Sequence, residues 1–342
     1  MASKGFLIAF TGRTCFGVLL LLLPCLSATP NDMTSTLLID GARIDVTIEP
    51  SDSPLSQPDL LRWVQSAAES VAAYYGRFPV PHLILRVTPF AGAGVRNGRT
   101  FAREGGLILV RAGSKTTASE FAQDWVLTHE MVHLAFPSMA DEHHWIEEGI
   151  STYVEPIARI RAGHWTASQM WSDLMRDMPK GLPRDGDQGL DHTHTWGRMY
   201  WGGALFCLVA DVEIRKQTHN RKGLEDALRG ILDAGGDIRV DWDLAQTLKV
   251  ADRAAGVEVL EKLYAEMKDR PVQVDLPALW KQLGIESDGE QVRFVEDAPL
   301  AAIRRSITEG TKAPPGKGPV PKDSASQLLP LVICAGRTSG SR

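Results

Sequence analysis

The stretch His129-Glu130-Met131-Val132-His133, HEMVH, follows an apolar run and stands four residues before Pro137. Residues i and i+4 share one face of a helix, so two imidazoles at this spacing can reach a single ion at the roughly 2.0–2.1 Å that zinc requires. Glu130 then points beside the pair rather than into it. A carboxylate in that position is free to accept a proton from an attacking water instead of occupying a coordination site.

A catalytic zinc needs a third protein ligand and an open position. The helical stretch HHWIEEGISTYVEP supplies carboxylates at Glu147, Glu148 and Glu155, of which Glu148 is preferred. Glu147 and Glu148 lie about 100° apart around a helix, so only one of them can face the ion. The competing reading of the pair is two surface histidines beside a solvated Glu130. His143 and His144 are read as loop or supporting residues, and His192 and His194 as solvated loop histidines.

HEMVH, eleven intervening positions and then "Trp145-Ile146-Glu147-Glu148-Gly149-Ile150-Ser151-Thr152-Tyr153" resemble the paired motifs of gluzincin metallopeptidases (HExxH…E). The later Tyr200-Trp201-Gly202-Gly203-Ala204-Leu205, with Asp211 and Arg215, is similar to a helix of the glycyl-aminopeptidase-type branch. Ala298-Pro299-Leu300 and Ile303-Arg304 resemble the end of that branch's catalytic domain, so the likeness spans about 100 to 308. It implies one Zn2+ held by His129, His133 and Glu148, Glu130 as the base and Tyr200 as the oxyanion donor. A tyrosine that merely packs in the core is the rival reading of Tyr200. Family aminopeptidases carry a glutamate after a glycine-rich strand motif to grip a free amino terminus. The nearest counterpart, Gly105-Gly106-Leu107-Ile108-Leu109, has no carboxylate after its glycines, and Glu104 precedes them. The resemblance therefore leaves endo- against aminopeptidase action undecided. The family's large N-terminal β domain and C-terminal PDZ module are not expected here.

Outside the motif, TLLIDGARIDVTIEP reads as a hairpin turning at Asp40-Gly41, where both turn residues need positive φ. The apolar positions Leu60, Leu61, Val64, Ala67, Ala68, Val71 and Tyr75 predict an amphipathic helix from Pro58 to about Gly76. HLILRV (82–87) and GLILVR (106–111) read as buried strands, and the glycine- and arginine-rich stretch between them as a mobile surface loop, with a substrate-contacting role as the alternative. A single helix is predicted from Thr117 to Phe136, capped by Thr117 or Ser119. Beyond Pro137, helices are predicted at 144–162, 166–177, 199–217, 223–233, 255–269 and 276–284, with one strand at 291–295.

The 342 residues, 44% hydrophobic and 23% charged, are enough for a folded core. The formal charge of −5 and the lack of any Lys/Arg cluster interleaved with aromatics argue against a nucleic-acid partner. Lys4 and Arg13, the run Phe16–Leu23 and small residues to Ala28 have the order of an export leader. Its apolar run is short of the about 20 residues that span a bilayer. Removing it leaves Cys207 and Cys334, too few for a disulfide framework, and Cys207 reads as a buried apolar residue.

The expected fold class is α+β: a zincin-like metallopeptidase domain with a small mixed β-sheet plus active-site helix, followed by a mostly helical subdomain. The expected organisation is a signal peptide (1–28), an α/β subdomain carrying the HExxH helix (29–138), a helical subdomain (139–308) and a disordered tail (309–342) whose composition cannot bury a core. The expected protein is exported, periplasmic or secreted, without a stable membrane span after cleavage of the leader. It acts on a peptide or protein substrate that pairs with the exposed edge of the GLILVR strand. The alternative is a non-catalytic peptide-binding or envelope-assembly module on the same fold.

Overall fold

Asp40 and Gly41 adopt φ of 48° and 82°, the positive values a two-residue hairpin turn demands. They join β1 (Met33–Ile39) to β2 (Ala42–Ile48), whose residues are alternately buried and more open, as in a strand with one face on a core. This is a computed structural model describing residues 33–52, 55–289 and 291–310. The expected leader and all of the expected tail after Gly310 lie outside those residues.

Helix α1 (Gln57–Tyr75) carries Pro58 in its first turn and stops at Gly76, which takes the left-handed conformation at φ 82°. It crosses to β3 (His82–Phe90), which runs parallel to β2. The next segment departs from expectation. Residues read as a mobile loop form β4 (Val95–Phe101), which returns antiparallel to β5 (Leu107–Gly113). The sheet order is β1-β2-β3-β5-β4. The GLILVR strand, β5, is thus paired on both sides, and the free edge belongs to β4. Periodicity hid β4 because a register shift between Arg96 and Arg99 interrupts its alternation.

The helix expected from 117 to 136 is two helices. Thr117 caps α2 (Ala118–Gln123) in a capping box with Glu120. Asp124 then turns extended, at ψ 134°, and α3 (Val126–His133) starts afresh. The Asp124 carboxylate accepts from the Leu127 N–H at 3.2 Å and from Trp63 Nε1 at 3.0 Å. A side chain that satisfies the new helix's first amides and anchors on α1 makes the break favourable.

The rest is largely helical: α4 (His144–Arg161), α5 (Ala167–Asp177), a π-helical turn over Gly197–Gly202, α6 (Gly203–Gln217), α7 (Leu224–Asp233), α8 (Leu244–Ala255), α9 (Leu260–Met267) and α10 (Leu276–Leu283). A small hairpin of β6 (Ile285–Asp288) and β7 (Gln291–Phe294) and then α11 (Ala301–Glu309) follow. The helix expected over 255–269 begins at Leu260 instead, and α8 precedes it unforeseen. Gly256 ends α8 at φ 75°, and the Asp252 carboxylate accepts from the amides of Val259, Leu260 and Glu261 at 3.1, 2.9 and 3.0 Å. Cys207 is buried in α6. No described helix is long and apolar enough to cross a membrane.

Two features hold α4 in place. Gly149 of α4 meets Gly203 of α6 so closely that a Cβ on Gly203 would stand 2.7 Å from Gly149 Cα, and one on Gly149 would overlap Gly203 backbone atoms. Lower down, Arg215 is fully buried between Asp211 (2.8 Å) and Glu225 (2.6 Å), while Tyr153 of α4 donates to Asp211 at 2.9 Å. Gly149→Ala should destabilise the protein by about 1–3 kcal/mol or more, because backbone must move to admit the methyl. Asp211→Ala should cost about 3–5 kcal/mol, because Arg215 would keep only Glu225, which Arg161 shares at 3.4 Å, and the buried Tyr153 hydroxyl would lose its acceptor. Denaturant titration checks both, and wild-type midpoints would contradict this account of α4.

Candidate metal centre

Helix α3 restarts at Val126 and is buried from Leu127 to Val132, and it turns His129 and His133 toward Glu148 in the N-terminal half of α4. His129 and His133 lie one turn apart, with ring centroids 5.0 Å from each other. Glu148 Oε2 approaches His129 Nε2 to 3.0 Å and His133 Nε2 to 3.7 Å. One ligand atom from each of the three lies within 4.8 Å of the others. All three expected ligands therefore converge, and Glu147 does not: its carboxylate is held by His144 Nδ1 at 2.9 Å. Glu155 is buried against Arg159 at 2.9 Å, and burial pushes its carboxyl up to about 7 despite that partner.

The donor set fits a small divalent ion. Three groups with lone pairs aimed at one point repel one another unless positive charge sits between them. For tetrahedral bonds of about 2.0–2.1 Å, neighbouring ligand atoms stand about 3.3 Å apart, and the observed 3.0 and 3.7 Å bracket that value. Without an ion, protons supply the charge. Burial tends to raise Glu148, but its contacts with His129, His133 and His144 hold it far below the usual carboxylate range. Burial lowers His129, whereas for His133 the Glu148 carboxylate overcomes burial and raises it. His144, the first residue of α4, takes the other Glu148 oxygen, with Nε2 3.2 Å from Oε1. Glu147 and then Glu148 push this imidazole up to about 10. His144, read as a loop or supporting residue, thus lies in α4 and contacts both Glu147 and Glu148. His143 instead binds Asp191 at 3.1 Å, and His192 binds Asp269 at 2.9 Å.

Glu130 stands beside the trio, and β4 explains why it stays there. Thr100 Oγ1 lies 2.6 Å from Glu130 Oε2 and 2.9 Å from its backbone oxygen. A Cβ on Gly98 would be 2.6 Å from Glu130 Cδ, so only glycine leaves the carboxylate its place. Sequence reasoning missed both residues. The Asn97-Gly98 dipeptide, with Asn97 at φ 50°, was the available signal of a bulge that brings backbone against a functional group.

Tyr200 sits in the π-helical turn, a form found often at functional sites. Its ring stacks on His129 with centroids 6.0 Å apart and planes 12° from parallel. Burial, and next the Glu148 charge, push its phenol well above the ordinary value, so it keeps its proton. Two exposed tryptophans flank the centre: Trp125 meets His129 edge-on at 5.5 Å, and Trp196 stacks on Tyr200 at 5.6 Å. His194 remains exposed on the loop before them.

No protein-family model and no curated protein matches this sequence. Among solved structures, the chain is similar to an aminopeptidase N family protein from Idiomarina loihiensis, with a TM-score of 0.58 and 11% identity over 75% of this chain and 49% of that one. It is also similar to an M1 zinc metallopeptidase from Deinococcus radiodurans, at 14% identity over 71% of this chain and 53% of that one, with a TM-score of 0.46. The chain spans about half the length of these structures. The first likeness is one of fold: a mixed sheet with its helices on one side, followed by a helical half, as the zincin-like α+β reading expects.

Proposed function

We propose that this chain hydrolyses peptide bonds at one zinc ion held by His129, His133 and Glu148. The observation that carries the reading is the second carboxylate. Glu130 lies beside the three converging ligand atoms, belongs to none of them, and is gripped by Thr100 at 2.6 Å. Metal storage or structural zinc has no use for it.

Zinc in this site supplies Lewis acidity, which acidifies a water and polarises a scissile carbonyl. Glu130 accepts the proton of the attacking water and delivers it to the departing amine. The Thr100 hydroxyl fixes which Glu130 oxygen is free to do so. Tyr200, protonated and stacked on His129, donates a hydrogen bond to the developing oxyanion. His144 holds the second oxygen of Glu148, the partner through which a ligand's orientation is fixed. An extended substrate pairs with the free edge of β4, the strand that carries Gly98 and Thr100, rather than with β5. The order of charged, apolar and small residues over 1–28 supports export of this activity to the periplasm or the exterior.

Purified protein is expected to take up one zinc, and His133→Ala to lose it by elemental analysis. Glu130→Gln should keep the zinc while chelator-sensitive cleavage of a peptide library disappears; turnover surviving in that variant would remove Glu130 from the mechanism. Tyr200→Phe is expected to lower kcat about 10²–10³-fold with little change in KM, the signature of a donor used only in the transition state. Zinc uptake without cleavage of any peptide by the wild type would instead favour a binding module.

A further inference from the structure

The outer face of β3, β5 and β4, turned away from the helices, carries a basic island. Register fixes its rows: Thr88, Arg111 and Arg96 lie side by side across the three strands, and Arg86, Leu109 and Arg99 form the next row. All four arginines are exposed. Arg96 and Arg111 rest over the Phe90 ring at 4.6 and 5.6 Å. Among the described residues none of the four has a carboxylate partner. Some exposed arginines elsewhere do have one, such as Arg43 with Asp45, Arg77 with Asp233, Arg176 with Asp173 and Arg239 with Asp237, whereas Arg103, Arg184, Arg221, Arg253 and Arg270 do not; the four here differ in lying side by side on adjacent strands. In a chain of formal charge −5, four adjacent guanidiniums without counter-ions on one face call for an anionic partner.

Their place relative to the centre says which partner. The bulge between Arg96 and Arg99 keeps both arginines on the outer face while Gly98 and Thr100 face Glu130. A strand added to the free edge of β4 alternates in the same way. Side chains opposite Gly98 and Thr100 would turn toward the catalytic carboxylate. Those opposite Arg96 and Arg99 would turn outward, at the about 4.5–5.5 Å of directly paired residues. Arg111 and Arg86 extend the same positive field behind them.

We infer that the substrates are extended peptides bearing aspartate or glutamate at the positions that face outward beside Arg96 and Arg99. This rests on the peptidase reading and adds its specificity. A basic face of this kind could also meet an anionic membrane. Two of the four arginines, however, lie on the strand that holds the catalytic base, which favours the substrate.

The test uses zinc-loaded full-length protein and decapeptide libraries with Glu, Gln or Lys at each position around the cleaved bond. The expected result is a preference of about tenfold in kcat/KM for Glu over Lys at outward positions, carried by KM and weakened by salt. In Arg96→Glu/Arg99→Glu the ratio should reverse. Chelator-sensitive cleavage with no acidic preference would overturn the inference and leave the peptidase reading standing. Fluorescence anisotropy of labelled Glu-rich and Lys-rich peptides on Glu130→Gln reads the same preference without turnover. Tighter binding of the Glu-rich peptide supports the inference, and equal binding overturns it. Loss of sedimentation with phosphatidylglycerol vesicles in the double variant, with cleavage preference unchanged, would assign the face to a membrane and also overturn it.

Discussion

Everything at this site depends on one carboxylate oxygen. Glu148 Oε2 stands 3.0 Å from His129 Nε2 and 3.7 Å from His133 Nε2 in surroundings where all three side chains are at most 13% exposed. Lone pairs brought together out of water are costly unless a cation or a proton lies among them. The site is therefore a built demand for positive charge. The neighbouring structure can be understood as what keeps the three donors from relaxing apart.

Three constraints do this, each from a different element. Asp124 breaks the first helix and lets α3 start at an angle that its own sequence periodicity does not specify. The Gly149–Gly203 contact admits α4 to within backbone distance of α6, which fixes where Glu148 begins. The bulge in β4 brings Gly98 and Thr100 against Glu130. The same bulge leaves the strand's outward arginines on one side, so the placing of Glu130 and the charge of the sheet's edge have a common cause. Tyr200 joins the set through a π turn, whose widened helix directs its ring over His129.

Much of this was legible in the residues. The i, i+4 spacing of the histidines, the Asp40-Gly41 hairpin and the extent of α1 follow from local geometry that the structure reproduces, and of the two expected caps, Thr117 and Ser119, the helix uses Thr117. Helix geometry said only that one of Glu147 and Glu148 can face the histidines, and the preference for Glu148 came with the resemblance. What escaped was set by contacts distant in sequence. No propensity rule places a helix break at Asp124, because its second hydrogen-bond partner is Trp63, sixty-one positions earlier. β4 is polar, holds two arginines and a glycine, and has no clean alternation. An edge strand that is polar on its free side looks, by composition, like a loop. Helix α8 carries Leu244, Leu248, Ala251 and Ala255 at helical spacing, so its stripe was available in the residues but is narrow and half alanine, and its start is marked by Asp243, whose carboxylate accepts from the Gln246 amide.

The central claim is that two imidazoles and the Glu148 carboxylate hold one zinc. Zinc-edge X-ray absorption on the loaded protein addresses it without any assay of turnover. The expected shell holds two imidazole nitrogens and oxygen scatterers at about 2.0–2.1 Å, unchanged in Glu130→Gln and lost in His133→Ala, which no longer retains the ion. A spectrum with no imidazole scattering, or one that His133→Ala leaves as it was, would contradict the account.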